Sequence, residues 1–467
     1  MKKLFGFLFV IGAGVALGQG SSRDSVLAAM QKATTFYTDE VSNHGGYVYY
    51  YSTDLQQRWG EGVATSDQIW VQVPGTPAVG MAFVEAYLAT KDEPYLNAAK
   101  AAAEALVYGQ LASGTWTNAV DFDPKGERVG EYRNGRGKGK NFSTLDDGIS
   151  QNALLFLMKL DEAGGFKDRE LGKAIRIGLD ALLAAQFSIG AFPQGWDGPI
   201  SGGGEAIPAN YPDYDWRTEG RIKEYWHEYT LNDNVAGTVA TVLMEAERIY
   251  KDERYRDALV KLGGFLVLAQ MPQPQRGWAQ QYDAKMRPIW ARAFEPPAVA
   301  GDETQEVIET LMVIGTHLRD ARYLQPIPDA LAFLKKSLLP DGRLARYYEL
   351  ETNKPLYMTR NGKQYSLTHD DSNLPDHYGW KTESRIAELE ARYQAIMSRA
   401  PEPVPTSVTE AEALKIVGAL DDRGRWLSTY DGGLIVGQPS WKPGFVHISS
   451  AVFSDNLTRL SRYLQNR

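Results

Sequence analysis

The sequence predicts a mostly α-helical fold in which helix pairs repeat to form an α/α toroid or incomplete barrel, with short strands and long irregular loops. Three observations carry this. Apolar-periodic stretches come in twos, split by a charged dipeptide such as Lys91-Asp92 or Lys251-Asp252. Each pair runs into a glycine- and aromatic-rich extended segment, and these segments begin roughly 65–90 residues apart. The connecting loops are too long and too aromatic for a plain solenoid, and loops of that length inside a compact domain are usually functional.

At the start, Lys2 and Lys3 precede an apolar run, 4–17, and then Ala16-Leu17-Gly18. This pattern predicts a signal peptide over 1–18, cleaved before Gln19. The run is too short to span a bilayer, so the mature chain is expected to be secreted or periplasmic and free of the membrane. There is no cysteine, which excludes disulfides and thiolate metal sites.

A weak first copy of the repeat covers 25–41 and the segment GGYVYYYS at 45–52. Helix pairs are then expected at 79–90 with 95–110, 149–162 with 169–187, 235–250 with 255–270, and 303–318 with 327–338. The extended segments after these pairs begin at Gly114, Gly190, Gly277 and Gly342. Two loops stand apart. Residues 127–140 (ERVGEYRNGRGKGK) are glycine-rich and basic, either a cover for an anionic ligand or a plain surface loop. Residues 196–229 form the longest aromatic loop. Near the C-terminus, PEPVP at 401–405 reads as a linker, followed by a helix at 408–420, a β-like stretch at 426–437 and a helix at 456–464. The division expected is a leader over 1–18, a catalytic toroid over 19–400, and a linker with a packed-back extension over 401–467.

With 58 acidic and 50 basic residues the net charge is −8, which argues against a general nucleic-acid binder but leaves room for a local basic groove. The 25 tyrosines and 11 tryptophans suit stacking on sugar rings as well as core packing. No histidine pair has zinc-ligand spacing, and His227 alone fits a packing role. Phosphate loops and serine elbows are absent.

Two acidic clusters enter helices in matching positions: TLDDG at 144–148 and TLNDN at 230–234. Asp and Asn are favoured helix caps, which is the plain explanation of either one. As a pair they read differently, because equivalent positions of different repeats face one central cleft. Asp146, Asp147 and Asp233, with the amides of Asn232 and Asn234, offer the oxygen donors of a hard cation such as calcium. Asp146 and Asp233 also suit the acid and base of a glycosidase. In WARAFEPPAVAG, 290–301, Pro296-Pro297 forbid a helix. Arg292 is thereby set on a stiff loop among Trp290, Phe294 and Glu295, either for chemistry or as a structural cation stacked on Trp290 or paired with Glu295.

Taken together, TLDDG, AQFSIGAFPQGW at 185–196, TLNDN, GWAQQYDAKMRPIWARAFEPPAVAG at 277–301 and YYELETNKPLYMTRNG at 347–362 resemble the pectate lyases of polysaccharide lyase family 10. The resemblance implies a helical toroid, secretion, calcium, and cleavage of polygalacturonate by β-elimination. It implies a catalytic arginine at Arg292, metal- or substrate-positioning aspartates at Asp146 and Asp233, and a substrate-binding arginine at Arg360. Asp147 stands where the family usually has Asn, adding negative charge beside the calcium. Asp147, Asn232, Arg346, Trp196 and Trp290 are further candidate substrate contacts. A monomer acting on an anionic polysaccharide is the leading expectation. A toroid glycoside hydrolase and a periplasmic glycan-binding protein are the alternatives.

Overall fold

The computed structural model describes residues 22–200, 202–400, 407–433, 435, 437 and 441–466. The leader and the PEPVP linker expected from the sequence lie outside the described residues. None of the described helices is long and apolar enough to cross a membrane.

Among the described residues there are twelve α-helices: α1 (Ser22–Phe36), α2 (Thr76–Thr90), α3 (Glu93–Tyr108), α4 (Ile149–Ala163), α5 (Arg169–Ala184), α6 (Val235–Tyr250), α7 (Glu253–Leu268), α8 (Gly301–Leu318), α9 (Ile327–Ser337), α10 (Ile386–Met397), α11 (Glu410–Gly418) and α12 (Ser450–Gln465). The charged dipeptides explain the pairing. Lys91, Lys251 and Arg319 end α2, α6 and α8 in the left-handed conformation, the usual way to close a helix. The aspartates after the last two cap the next helical turn: Asp252 accepts from the Arg254 amide and Asp320 from the Arg322 amide. One dipeptide thus stops one helix and starts the next.

The first helices of the pairs stand side by side in the order α12, α2, α4, α6, α8, α10, and α3, α5, α7 and α9 back them from outside. Each unit is tied at one end by a short antiparallel pairing of the strand before its inner helix with the strand after its outer helix. These are Gln68–Trp70 with Ala119–Asp121, Ser143–Thr144 with Gly195–Trp196, Tyr229–Thr230 with Gln281–Tyr282, and Val299–Ala300 with Tyr347–Tyr348. All four lie where the inner helices begin, so the loops there surround one cleft. This is the mostly helical toroid that the sequence predicts.

Glutamines fasten the units to one another. At the ends of three outer helices, Gln110, Gln186 and Gln270 each donate twice, once to their own returning loop and once to the neighbouring unit (Ala174, Ala258 and Pro326 carbonyls). Trp116 and Trp278, on the returning segments, donate to Leu106 and Leu266 at the ends of α3 and α7. The glycine-aromatic signature of the repeat is therefore a structural clamp.

Several elements differ from expectation. A hairpin, Pro355–Asn361 with Gln364–Thr368, and helix α10 fill a region the periodicity left unassigned. Among the described residues of the 426–437 stretch only Leu427–Thr429 forms a strand, and α12 begins at Ser450, six residues before the expected start. The chain ends join in one unit: Val446–Ser449 pairs with Tyr50–Ser52, and α1 packs on α11 and α12. Phe453 of α12 is the rivet. It is buried, stacks on Tyr37 at 3.6 Å between ring centres, and meets Phe83 and Trp426 edge-on or tilted. Phe453→Ala is expected to destabilise the fold by about 3–5 kcal/mol in urea unfolding. A loss below about 1 kcal/mol would show that the two chain ends are held elsewhere.

Candidate active site

The two acidic clusters form matching irregular turns ahead of α4 and α6. Asp147 has φ 47° and Gly148 φ 69°; Asp233 and Asn234 both have φ 53°. Left-handed backbone costs a non-glycine residue about 1–2 kcal/mol, and strain of this kind collects at functional sites. Neither α4 nor α6 takes a side-chain cap. The helix-cap explanation of these aspartates is thereby overturned, since their carboxylates are turned away from the helix amides. The two turns also pack against each other.

Backbone hydrogen bonds fix the correspondence between units. Val71, Leu145, Leu231 and Gly301 donate to the carbonyls of Asn118, Gln194, Gln280 and Arg346. Gln72, Asp146, Asn232 and Asp302 are therefore equivalent, one per unit, as each chain enters its inner helix. Gln194, Gln280 and Arg346 are equivalent on the returning segments. The cleft is built from these two sets. Gln194 donates to Asp146 at 2.6 Å, and Gln72 donates to Asp147 at 2.7 Å and to Glu61 at 3.0 Å. Asn232 donates to Asp233, and Arg346 reaches Asn232 Oδ1 at 3.4 Å.

Carboxylates are crowded here. Burial, a hydrogen bond shared with Asp146, and the charges of Asp146, Asp147 and Glu303 push Asp233 up to about 9. Asp147 is open to solvent yet walled by protein on its other sides. That desolvation, with Asp146 and Glu61 beside it and Arg292 opposing, pushes it up to about 6. Buried Glu303 is pushed up to about 7 by desolvation, against the pull of Arg346. Such a set has the hard-oxygen chemistry of a calcium seat. Among the described residues, however, no group of three or more His, Cys, Asp or Glu side chains is arranged as a metal cage. Asp146, Asp147 and Asp233 supply an open, acid-lined floor, and a cation on it would draw further oxygens from water or substrate.

Opposite lies a cationic wall. The Arg292 guanidinium meets Glu295 at 2.5 Å, and the Arg292 amide donates to the same carboxylate at 2.9 Å. Tyr378 donates to Glu295 at 2.9 Å and contacts the Tyr347 hydroxyl at 2.8 Å, which in turn donates to Gln280. Arg292 lies 5.5 Å and Arg346 4.7 Å from the Tyr378 ring centre, so one tyrosine carries both cations. Arg346 is also 3.6 Å from Asp302 and 3.5 Å from Glu303. Burial would lower the Arg292 pKa, but Glu295 outweighs it and drives the pKa above its ordinary value. Burial likewise favours the neutral form of Glu295, and Arg292 outweighs that too, holding it below the usual carboxylate range. Arg292 is thus a firmly charged group, contrary to the lowering that a cation-rich, desolvated site would produce.

Two candidates are corrected. Trp196 and Trp290 are each 1% exposed and have no face for a sugar. Trp196 donates to the Ser113 carbonyl and Trp290 to that of Trp216. Arg292 stacks on Phe294 and Tyr378, while Trp290 carries Arg221. Arg360 is exposed on the 355–368 hairpin, over Tyr365, which packs on Phe294. It joins the wall through two rings and not by direct contact. Tyr225, which the charges of Glu295, Arg292 and Asp146 all reach, was missed, as were Gln72, Gln194 and Tyr378. The repeated Gln in AFPQGW and WAQQYD was the available signal for Gln194.

An α/α toroid with an acid floor and a cationic wall at one end is the frame of an enzyme that handles anionic sugars. Residues 110–341, which hold both acidic turns and Arg292, match the family described as pectic acid lyase. That stretch belongs to the family, and the chain is a polysaccharide lyase, so the hydrolase and binding-protein alternatives give way. No curated protein matches the chain. Among solved structures it is similar to a mutant family 10 polysaccharide lyase from Cellvibrio cellulosa in complex with trigalacturonic acid. The identity is 20%, covering 70% of this chain and 98% of that one, with a TM-score of 0.46. The family 10 lyase from the same organism without that ligand gives 20% identity, 67% and 94% coverage, and 0.45. Cellobiose 2-epimerase from Spirochaeta thermophila gives 14%, 96% and 99%, and 0.45.

The raised Asp233 pKa has a consequence for stability. Between the ordinary carboxylate range and about 9, the folded chain keeps a proton that the unfolded chain releases. Stability conferred by this group is therefore full at low pH and falls as pH rises through that window. Asp233→Asn removes the group and is expected to stabilise the fold by about 0.5–2 kcal/mol above about pH 7, with the gain vanishing near pH 4. Melting temperatures across pH read this out. A variant less stable than wild type at alkaline pH would contradict the crowding.

Proposed function

We propose that this chain cleaves polygalacturonate by calcium-assisted β-elimination, with Arg292 acting at C5 of the uronate. The observation that carries the reading is the closeness of two strained aspartate turns to two arginines: the charge of Arg292 acts on Asp147, and Arg346 reaches Asn232 at 3.4 Å. A polyuronide carries a carboxylate on every sugar. A cleft with carboxylates on its floor takes it only with a bridging cation, and Asp146, Asp147 and Asp233 are the residues that would hold calcium. Bound there, calcium would offset the charge that develops on the uronate carboxylate as the C5 proton leaves. In this reading Arg346 and Arg360 meet carboxylates of the bound polymer, and Asn232, which donates to Asp233, orients it. The leader and the anionic polymer substrate together support a secreted or periplasmic enzyme, working as a monomer.

The Arg292–Glu295 pair bears on how the proton leaves. An arginine must be neutral to act as a base, and this ion pair favours the charged form, so the neutral fraction near pH 7 is small. That favours a second reading of the step. Arg292 stays a guanidinium against the carboxylate, and hydroxide takes the C5 proton while the glycosidic oxygen leaves C4 and is protonated by water.

Turnover of polygalacturonate should give unsaturated, ultraviolet-absorbing uronides, and saturated reducing ends would refute the reading. Arg292→Lys keeps the charge but loses the planar fork and its place against Glu295. It is expected to lower kcat about a thousandfold, roughly 4 kcal/mol of transition-state stabilisation. Circular dichroism should show the fold intact. A folded variant with near-normal kcat would remove Arg292 from the chemistry.

A further inference from the structure

Two arginines outside the assigned site share an unusual setting. Arg221, in the long loop after Trp196, has its guanidinium carbon 3.7 Å from the centre of the buried Trp290 ring, and its backbone bridges Trp290. Arg128, in the basic loop after the strand Ala119–Asp121, lies over the buried Trp70 ring at 4.9 Å. Both side chains belong to exposed residues, and among the described residues neither guanidinium has a carboxylate partner. Their neighbours differ in this respect: Arg217 is tied to Glu349 at 2.8 Å and Arg287 to Asp283 at 2.8 Å. Arginine stacked on a rigid ring keeps the donors at its edge free, aimed and partly dehydrated, which suits two-pronged capture of a carboxylate.

Their positions flank the cleft. Trp290 stands two residues before Arg292. Four residues beyond Arg221, Tyr225 feels the charges of Arg292, Glu295 and Asp146. On the other flank, Trp70 stands two residues before Gln72, which holds Asp147. The Arg128 guanidinium lies beside Gly62, where an added methyl group would come within 3.3 Å of it, next to Glu61. One unpaired cation thus stands on the Arg292 side of the acid floor and one on the Asp147 side.

We infer that Arg221 and Arg128 are outlying carboxylate subsites that hold uronates on either side of the reacting sugar, so that the cleft takes an internal stretch of polymer. The inference rests on the polygalacturonate reading above. Both are positioning residues. They act through where the chain lies and not at the reacting atoms.

The test measures binding and turnover separately on the full chain, using polygalacturonate and trigalacturonate. Gln keeps a flat group over the tryptophan and removes the charge; Lys keeps the charge without the plane. Arg221→Gln and Arg128→Gln are each expected to weaken polymer binding, and raise KM, about tenfold. In each case kcat at saturation should stay within about twofold, and the Lys variants should recover part of the loss. Trigalacturonate, with only three carboxylates to distribute among the subsites, should lose less affinity than the polymer. Polymer affinity unchanged in both Gln variants would overturn the inference, and so would equal losses for trimer and polymer. Wild type that binds the polymer but forms no unsaturated product would defeat the proposed reaction and leave these subsites standing. Wild type that does not bind the polymer would defeat both.

Discussion

Like charge held at close quarters is the constraint on which this molecule turns. Asp146, Asp147 and Asp233 are brought together by two left-handed turns that the chain would not adopt unforced, and the crowding makes Asp147 and Asp233 harder to ionise. Local hydrogen bonds, such as that from Asn232 to Asp233, do not remove the repulsion. The arrangement persists because the toroid behind it over-determines the turns. α4 and α6 pack side by side, the strand pairs at Thr144 and Thr230 fix the approach, and Gln194 and Gln72 hold the carboxylates from the sides.

The opposite wall obeys the converse rule. Two guanidiniums stay charged close together because each has acids of its own: Glu295 for Arg292, and Asp302 with Glu303 for Arg346. Tyr378 lies between them, its ring facing both cations and its hydroxyl satisfying Glu295. Glu303 connects the two walls, since its charge is felt at Asp233 while it pairs with Arg346. A change on one side of the cleft is therefore transmitted to the other by electrostatics alone.

Much of this was legible in the sequence because repetition leaves a periodic record. The helix pairs, their charged turns and the matched TLDDG and TLNDN clusters are local patterns, and so is the proline-stiffened segment around Arg292. What escaped was register. Gln72 and Gln194 become site residues only when backbone pairing makes them equivalent to Asn232 and Gln280, and no single segment shows that. Trp196 and Trp290 were read as sugar platforms because aromatic content does not say which face is covered. In the fold their indoles meet carbonyls inside the core. The 355–368 hairpin has too short an alternation to stand out, and Tyr378 lies in a loop with no period at all. The Arg292 environment could not be read either, because the pairing with Glu295, visible as a possibility, had to be weighed against burial.

The central claim is that the crowded carboxylates, with a proton held on Asp233, are a calcium seat. Calorimetric titration of calcium at pH 7, repeated in buffers of differing ionisation enthalpy, counts the protons released on binding. With Asp233 raised to about 9, calcium should bind and displace about one proton in wild type, and close to none in Asp233→Asn. Calcium binding without proton release, or no binding at all, would contradict the account.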